Sequence, residues 1–152
     1  MTWETTVRLS EIDNIVGIKE AGSDFDQIAH IIQETDHNFK VWSGNDNETF
    51  HIMNMGGHGI VSVASHLVGS QIKAMMGHIL EGNVERAAEL HLKLHPIFKV
   101  LFVIANPIPV KYAVNKAGFN VGETRLPLVA PDAKTAAELD SVLGEYHIDL
   151  PV

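Results

Sequence analysis

Short apolar runs and helical repeats alternate along the first part of the chain. Three runs rich in β-branched residues are bounded by glycine or polar turn residues, which is typical of strands buried in a parallel sheet. They cover residues 14–21, 39–43 and 59–65. Apolar residues recur at helical spacing over about 26–35 and 47–55. This order predicts parallel strands joined by crossover helices.

Signals for the ends of helices support this order. Thr2 can cap an opening helix that extends to Ile12, and Ser23 with Asp26 forms a capping-box-like start to the first crossover helix. The Gly56–Gly57 pair can end the second crossover helix. We therefore expect each strand to be followed by a helix.

Beyond residue 65 the pattern contains helical periodicity alone. The expected helices cover 71–80, 83–101, 110–117 and 132–146. Pro96 lies within the second of them and is expected to kink or divide it. The chain is thus predicted to be an α/β protein with its strands in the first half and only helices in the second.

Composition and charge restrict the class of function. The chain has 152 residues, of which 45% are hydrophobic and 20% charged, as expected for a folded globular protein. The net charge of −8 argues against binding to nucleic acid or to an anionic membrane surface. There is no cysteine, and no apolar run approaches the roughly 20 residues of a membrane-spanning helix. We expect a cytoplasmic enzyme or subunit.

Lys19 is the candidate for chemistry. It ends the first apolar run, and strand alternation places it on one face with Ile15 and Gly17. A lysine in apolar surroundings either pairs with a carboxylate, reaches water with its ammonium group, or loses its proton. In the last case it becomes a nucleophile that forms a Schiff base with a ketone.

Several motifs give the chain a family resemblance. Residues 15–21, IVGIKEA, resemble the Schiff-base strand of the dihydrodipicolinate synthase and N-acetylneuraminate lyase superfamily of class I aldolases. The family's order and spacing continue in SGND at 43–46, GGHGIVSV at 56–63, NPIPVK at 106–111 and RLPL at 125–128. The NPIPVK segment favours the dihydrodipicolinate synthase branch over the sugar-acid lyases.

The resemblance implies a (β/α)8 TIM barrel with a C-terminal helical extension. Residues 1–68 would be its last three βα units, and residues 69–152 its final barrel helix and the extension. It implies a condensation of pyruvate with aspartate semialdehyde in the route to lysine and diaminopimelate. Lys19 would form the imine, Gly44 and Val61 would wall the pyruvate pocket, Val61 partly through its backbone carbonyl, and neither a metal nor an organic cofactor would be needed.

Length separates this chain from the family. A complete barrel takes about 250 residues, so the chain resembles the C-terminal half alone. The family's first five strands supply a threonine pair, tyrosines and an arginine that have no counterparts here. Such a chain could be a truncated gene product, the result of a mis-assigned start at an internal Met1, one piece of a split enzyme, or an expressed fragment. A half of this kind exposes strand edges, so we expect marginal stability, self-association, or a need for the N-terminal half.

Two other functions stay open at this point. The chain could belong to a pyruvate-dependent lyase of N-acetylneuraminate or of a 2-keto-3-deoxy sugar acid. It could also be a catalytically silent fragment that serves only in assembly.

Other polar residues have simpler interpretations. His91 and His95 have the i, i+4 spacing of metal ligands, but we expect solvated histidines. His58 is predicted to be a turn residue in front of the third strand. The glycines at 56–59 follow a helix and open a strand, which is the reverse of a dinucleotide loop. Asp46 is interpreted as a helix-start carboxylate, with the alternative that it faces the site.

Overall fold

A computed structural model describes residues 1–149 of the chain. The helices are α1 (Trp3–Ser10), α2 (Phe25–Glu34), α3 (Thr49–Asn54), α4 (Ser65–Leu80), α5 (Val84–Val100), α6 (Ile108–Lys116) and α7 (Ala133–Leu143). The strands are β1 (Gly17–Glu20), β2 (Lys40–Ser43) and β3 (Gly59–Ile60), and a 3₁₀ turn (Asp46–Glu48) precedes α3. Within residues 1–149 no helix has the length and apolar character needed to cross a membrane.

The three strands form one parallel sheet in the order β1-β2-β3. Lys19 is the register partner of Trp42, and Trp42 is the register partner of Gly59. The predicted α/β class with three parallel strands and crossover helices is therefore confirmed. In the described part of the chain β1 and β3 each pair on one side only, so the expected open edges are present.

One face of the sheet packs on helices and the other is open around Lys19, which corrects the expectation of fully buried strands. Ile18 and Val41 pack on that face against Ile28 and Ile31 of α2 and Ile52 of α3. The opposite face carries Lys19, which is exposed. Val16, which directly precedes β1 on the Ile18 side, is also 66% exposed. A buried apolar run and a run at an open edge have the same sequence pattern, because the pattern does not report which neighbours are present.

The third strand ends at Ile60, so the predicted extension to Ser65 is wrong. Its last ladder bond is donated by the Val61 N–H to the carbonyl oxygen of Ser43, at 2.9 Å. Beyond Ser62, the amides of Val63 and Ala64 instead donate to the Asp46 carboxylate, both at 3.1 Å. These bonds turn the chain away from the sheet and into α4.

Two helix predictions also need correction. Asp24, not Ser23, caps α2, because its carboxylate accepts the Gln27 N–H at 3.1 Å. Pro96 does not divide α5, which is one helix from Val84 to Val100. Pro96 lies on the exposed side, as does Leu92, so water can reach the Leu92 carbonyl that proline leaves without its helical donor. The predicted cap of α1 is confirmed: the Thr2 hydroxyl accepts the Thr5 N–H.

The helical part of the chain carries the larger hydrophobic core. It is formed by α4, α5, α6 and α7 around Leu67, Leu94, Ile97 and Leu139, all at most 1% exposed. The boundary that the sequence predicts at residue 68 falls within α4, at Val68, whose φ of −130° and ψ of 37° interrupt the helical backbone. The sheet is thus attached to a helical base that has its own core.

Candidate active site

Lys19, Gly44 and Val61 meet at the carboxyl edge of the sheet. Lys19 lies near the end of β1, Gly44 follows β2 directly, and Val61 follows β3 directly. Two backbone bonds extend the ladder to this edge: the Gly44 N–H donates to the Glu20 carbonyl at 2.6 Å, and the Val61 N–H to that of Ser43 at 2.9 Å. The carboxyl ends of parallel strands are where barrel enzymes hold their reactive groups.

These three residues also share one face of the sheet. Lys19 is in register with Trp42 and Gly59, and Gly44 and Val61 each lie two positions further along the same strands. Gly44 lies against the lysine, since a Cβ built on it would be only 3.0 Å from Lys19 Cε. Without a side chain at position 44, the lysine arm can lie close to the backbone of the neighbouring strand. The sequence-predicted site residues are therefore brought together.

Trp42 forms the floor beneath this group. Its indole lies across the glycines of both neighbouring strands, and a Cβ on Gly59 would be 3.5 Å from the ring. The His58 ring meets the indole edge to face, with 5.4 Å between the ring centroids. The sequence analysis did not single out Trp42, although its alternation with Gly44 on one strand could have shown that the two share a face.

The Lys19 face is open in this part of the chain. The lysine side chain is exposed, and Val61 is 48% exposed. A lysine reacts with ketones more readily in a site that excludes water. The arrangement can therefore present an amine to a small keto acid, but the described residues do not shield that amine from water.

A network of buried carboxylates lies behind the open face, and the sequence analysis missed it. Asp46, which is 1% exposed, accepts hydrogen bonds from the Ser62 hydroxyl and from the Val63 and Ala64 amides. Its carboxylate faces the segment after β3, so the alternative in which it faces the site is wrong. Only the Asp46 position next to a strand end could have suggested this role.

Glu48 and Glu20 extend the network toward the loop after β1. Glu48 accepts the Ser23 hydroxyl at 2.5 Å and the Asn45 side-chain amide at 2.8 Å. Glu20 accepts the Gly22 N–H at 2.6 Å. Both glutamates are less than a tenth exposed. Side chains from the turn after β2 thus bond to the loops that follow β1 and β3.

His91 and His95 differ in their surroundings. His91 is 7% exposed, stacks on Phe50 at 5.2 Å between ring centroids, and lies 5.3 Å from the His51 ring, so the expectation of a solvated His91 is wrong. Burial lowers the pKa of His91, and His51 and His95 lower it further. His95 is exposed as expected. Within residues 1–149 no group of three or more histidine or carboxylate side chains is arranged to hold a metal ion.

Comparison with protein families gives one match that covers most of the chain. Residues 1–146 match the Dihydrodipicolinate synthetase family. Among curated proteins, the 4-hydroxy-tetrahydrodipicolinate synthase of Dehalococcoides mccartyi strain CBDB1 is 53% identical over 152 residues, which is 100% of this chain and 51% of that protein.

Solved structures agree with the sequence comparison. A dihydrodipicolinate synthase from Cyanidioschyzon merolae with lysine bound matches with a TM-score of 0.93 and 41% identity, over 95% of this chain and 49% of that one. The chloride-inhibited enzyme of Acinetobacter baumannii in complex with pyruvate matches with a TM-score of 0.90 and 30% identity, over 95% and 50% of the two chains. The chain thus spans about half the length of the relatives it matches.

Proposed function

Because the chain belongs to the dihydrodipicolinate synthetase family, we propose that Lys19 is the Schiff-base lysine of a class I aldolase that uses pyruvate. The observation that carries this proposal is the position of Lys19. It stands at the carboxyl edge of a parallel sheet, with its Cε against the bare backbone of Gly44. A relative of similar fold binds pyruvate. The function is thus that of a carbon–carbon lyase or synthase.

The chemistry requires a neutral amine and room for a three-carbon keto acid. The neutral Lys19 amine adds to the carbonyl carbon of pyruvate, a proton is taken up from solvent and water leaves, which gives an iminium that withdraws electrons from the methyl group. Loss of a methyl proton then produces an enamine that can attack an aldehyde carbon. Gly44 and the Val61 backbone carbonyl wall the pyruvate pocket in this proposal, and neither a metal nor an organic cofactor takes part.

We assign the chain to the C-terminal half of a (β/α)8 barrel. Three βα units followed only by helices within residues 1–149 support this assignment, as does the span of about half of each relative. The complete protein would condense pyruvate with aspartate semialdehyde to 4-hydroxy-tetrahydrodipicolinate. The remaining strands would pair with the open edges of β1 and β3 and cover Lys19. Covering this face would remove the lysine from water and favour its reactive form.

The imine is tested by reduction with borohydride in the presence of pyruvate. We expect an adduct on the peptide that contains Lys19, found by mass spectrometry, and none in the Lys19→Arg variant, which keeps the charge but not the nucleophile. Lys40, on the neighbouring strand, serves as the internal control, because its amine donates to the His37 carbonyl at 3.0 Å. Equal labelling of Lys19 and Lys40 would contradict a specific site.

The second reaction partner is tested by supplying the missing strands. The N-terminal half of the Dehalococcoides mccartyi relative is co-expressed with this chain, and turnover is measured with pyruvate and aspartate semialdehyde. We expect turnover that is lost in Lys19→Arg. Cleavage of N-acetylneuraminate or of a 2-keto-3-deoxy sugar acid instead would redirect the assignment to the lyases. No turnover in a stable complex would indicate a silent chain.

A further inference from the structure

Both oxygens of the buried Asp46 carboxylate accept hydrogen bonds from one short segment, residues 62–64. Oδ1 accepts the Ser62 hydroxyl, and Oδ2 accepts the amides of Val63 and Ala64 at 3.1 Å each. Asp46 is 1% exposed, and within residues 1–149 no lysine or arginine forms an ion pair with it. A buried carboxylate needs hydrogen-bond donors to offset the loss of water, so these three donors fix its position.

The segment held by Asp46 begins immediately after Val61. The Val61 N–H makes the last ladder bond to the sheet, and the following residues leave it. The Ser62 hydroxyl, while donating to Asp46, accepts the Ser65 N–H at 2.8 Å at the start of α4. The backbone on both sides of the Val61 carbonyl is therefore fixed, on one side by the sheet and on the other by Asp46.

The geometry points to Asp46 as a positioning residue of the pyruvate site: it sets the place of the Val61 carbonyl by holding residues 62–64. This inference rests on the proposed function, in which Gly44 and Val61 wall the pyruvate pocket. Asp46 itself does not act on the substrate, because both of its oxygens are occupied by the segment that it holds.

Glu48, in the same turn, provides an internal comparison. Its carboxylate faces the other way and accepts the Ser23 hydroxyl and the Asn45 amide. Removal of the Glu48 carboxylate would remove its bonds to Ser23 and to the Asn45 side chain, and would leave the Val63 and Ala64 amides bonded to Asp46. Two carboxylates two residues apart in the chain thus bond to different loops at the edge of the site.

The test uses Asp46→Ala, Asp46→Asn and a distant control, Asp140→Asn, whose carboxylate bonds to Tyr112 and Lys116 in the helical part of the chain. Borohydride trapping on Lys19 is measured across pyruvate concentrations, and hydrogen exchange is measured at the Val63 and Ala64 amides. In Asp46→Ala we expect at least about a tenfold rise in the pyruvate concentration for half-maximal trapping, with a smaller change in the limiting rate. Asp46→Asn retains an acceptor and should recover part of the affinity.

A purely structural role predicts a different result. It lowers the folded fraction and the trapped amount at every pyruvate concentration, without moving the half-maximal concentration. An unchanged half-maximal concentration in folded Asp46→Ala overturns the inference, and if that variant does not fold, Asp46→Asn is judged by the same criterion. If the unmodified chain gives no adduct, the proposed role of Lys19 fails in this chain. Hydrogen exchange in Asp46→Ala then tests the role of Asp46. Faster exchange at Val63 and Ala64 than in the unmodified chain supports that role, and unchanged exchange overturns it.

Discussion

A single methyl group added at Gly44 tests both the packing of the site and the proposed chemistry of Lys19. In Gly44→Ala the new Cβ would lie 2.6 Å from Ala21 Cβ, 3.0 Å from Lys19 Cε and 3.1 Å from Ala21 Cα. Carbon atoms prefer separations of about 3.5–4.0 Å. All three contacts are therefore too short, and some group must move.

The two neighbours differ in how they can respond. Ala21 is fixed by its backbone, whose carbonyl accepts the Asn45 side-chain amide at 3.0 Å. Lys19 is contacted near the end of a flexible arm, so it moves more readily. Overpacking of this kind costs about 1–3 kcal/mol. Because a displacement of about 1 Å in a reacting group can cost 100-fold in rate, we expect pyruvate trapping on Lys19 to fall at least about tenfold.

The assay compares this variant with Gly77→Ala under the same conditions. Gly77 lies within α4, and a Cβ built there has no neighbour within 4 Å. Alanine in a helix interior is favoured over glycine by about 1 kcal/mol, so this control should raise the free energy of unfolding and leave trapping unchanged. Equal trapping by Gly44→Ala and the unmodified chain would refute the reasoning, since the methyl group would then be tolerated beside the lysine.

Three further predictions concern stability and assembly. Ile97→Ala, which removes a fully buried side chain, should lower the free energy of unfolding by about 2–5 kcal/mol in urea denaturation, whereas Leu92→Ala, 70% exposed, should change it by less than about 0.5 kcal/mol. The pKa of His91 is lowered in the folded chain, so as the pH falls the unfolded chain protonates this imidazole first. The free energy of unfolding should therefore decrease as the pH drops below 6.5, and His91→Phe should make this pH dependence weaker. The chain alone should sediment as concentration-dependent oligomers, and a monodisperse monomer that melts cooperatively would contradict the exposed edges of β1 and β3.

The sequence predicted the order of elements because periodicity and turn residues are local signals. The three strands, the helices between them and the Thr2 cap follow from residues close together in the chain. The place of Lys19 at a strand end was equally readable. Register explains why Gly44 and Val61 join it, since parallel strands align their carboxyl ends.

The errors concern features that depend on distant residues. The end of β3 is set by Asp46, which lies 17 positions before Val63. The Val63 N–H donates to the Asp46 carboxylate and not to the sheet. The cap of α2 is Asp24 and not the predicted Ser23, because the Ser23 hydroxyl donates to Glu48, 25 positions further along the chain. His91 is buried because it stacks on Phe50 of another helix. None of these partners can be identified from a helical or strand period.

The loops around the site are held in place by contacts within this chain, whereas nothing in the described part of the chain covers Lys19. The turn after β2 supplies Asp46 toward the loop after β3 and Glu48 toward the loop after β1, so the relative positions of the loops depend on residues present here. The face that carries Lys19 is exposed, and no described residue closes it. In the proposed function the loops around the site bind pyruvate, so this binding should survive in the chain better than the reaction at the Lys19 amine, which depends on a cover that excludes water. Addition of a complementary half should accordingly raise the limiting rate of trapping more than it lowers the half-maximal pyruvate concentration.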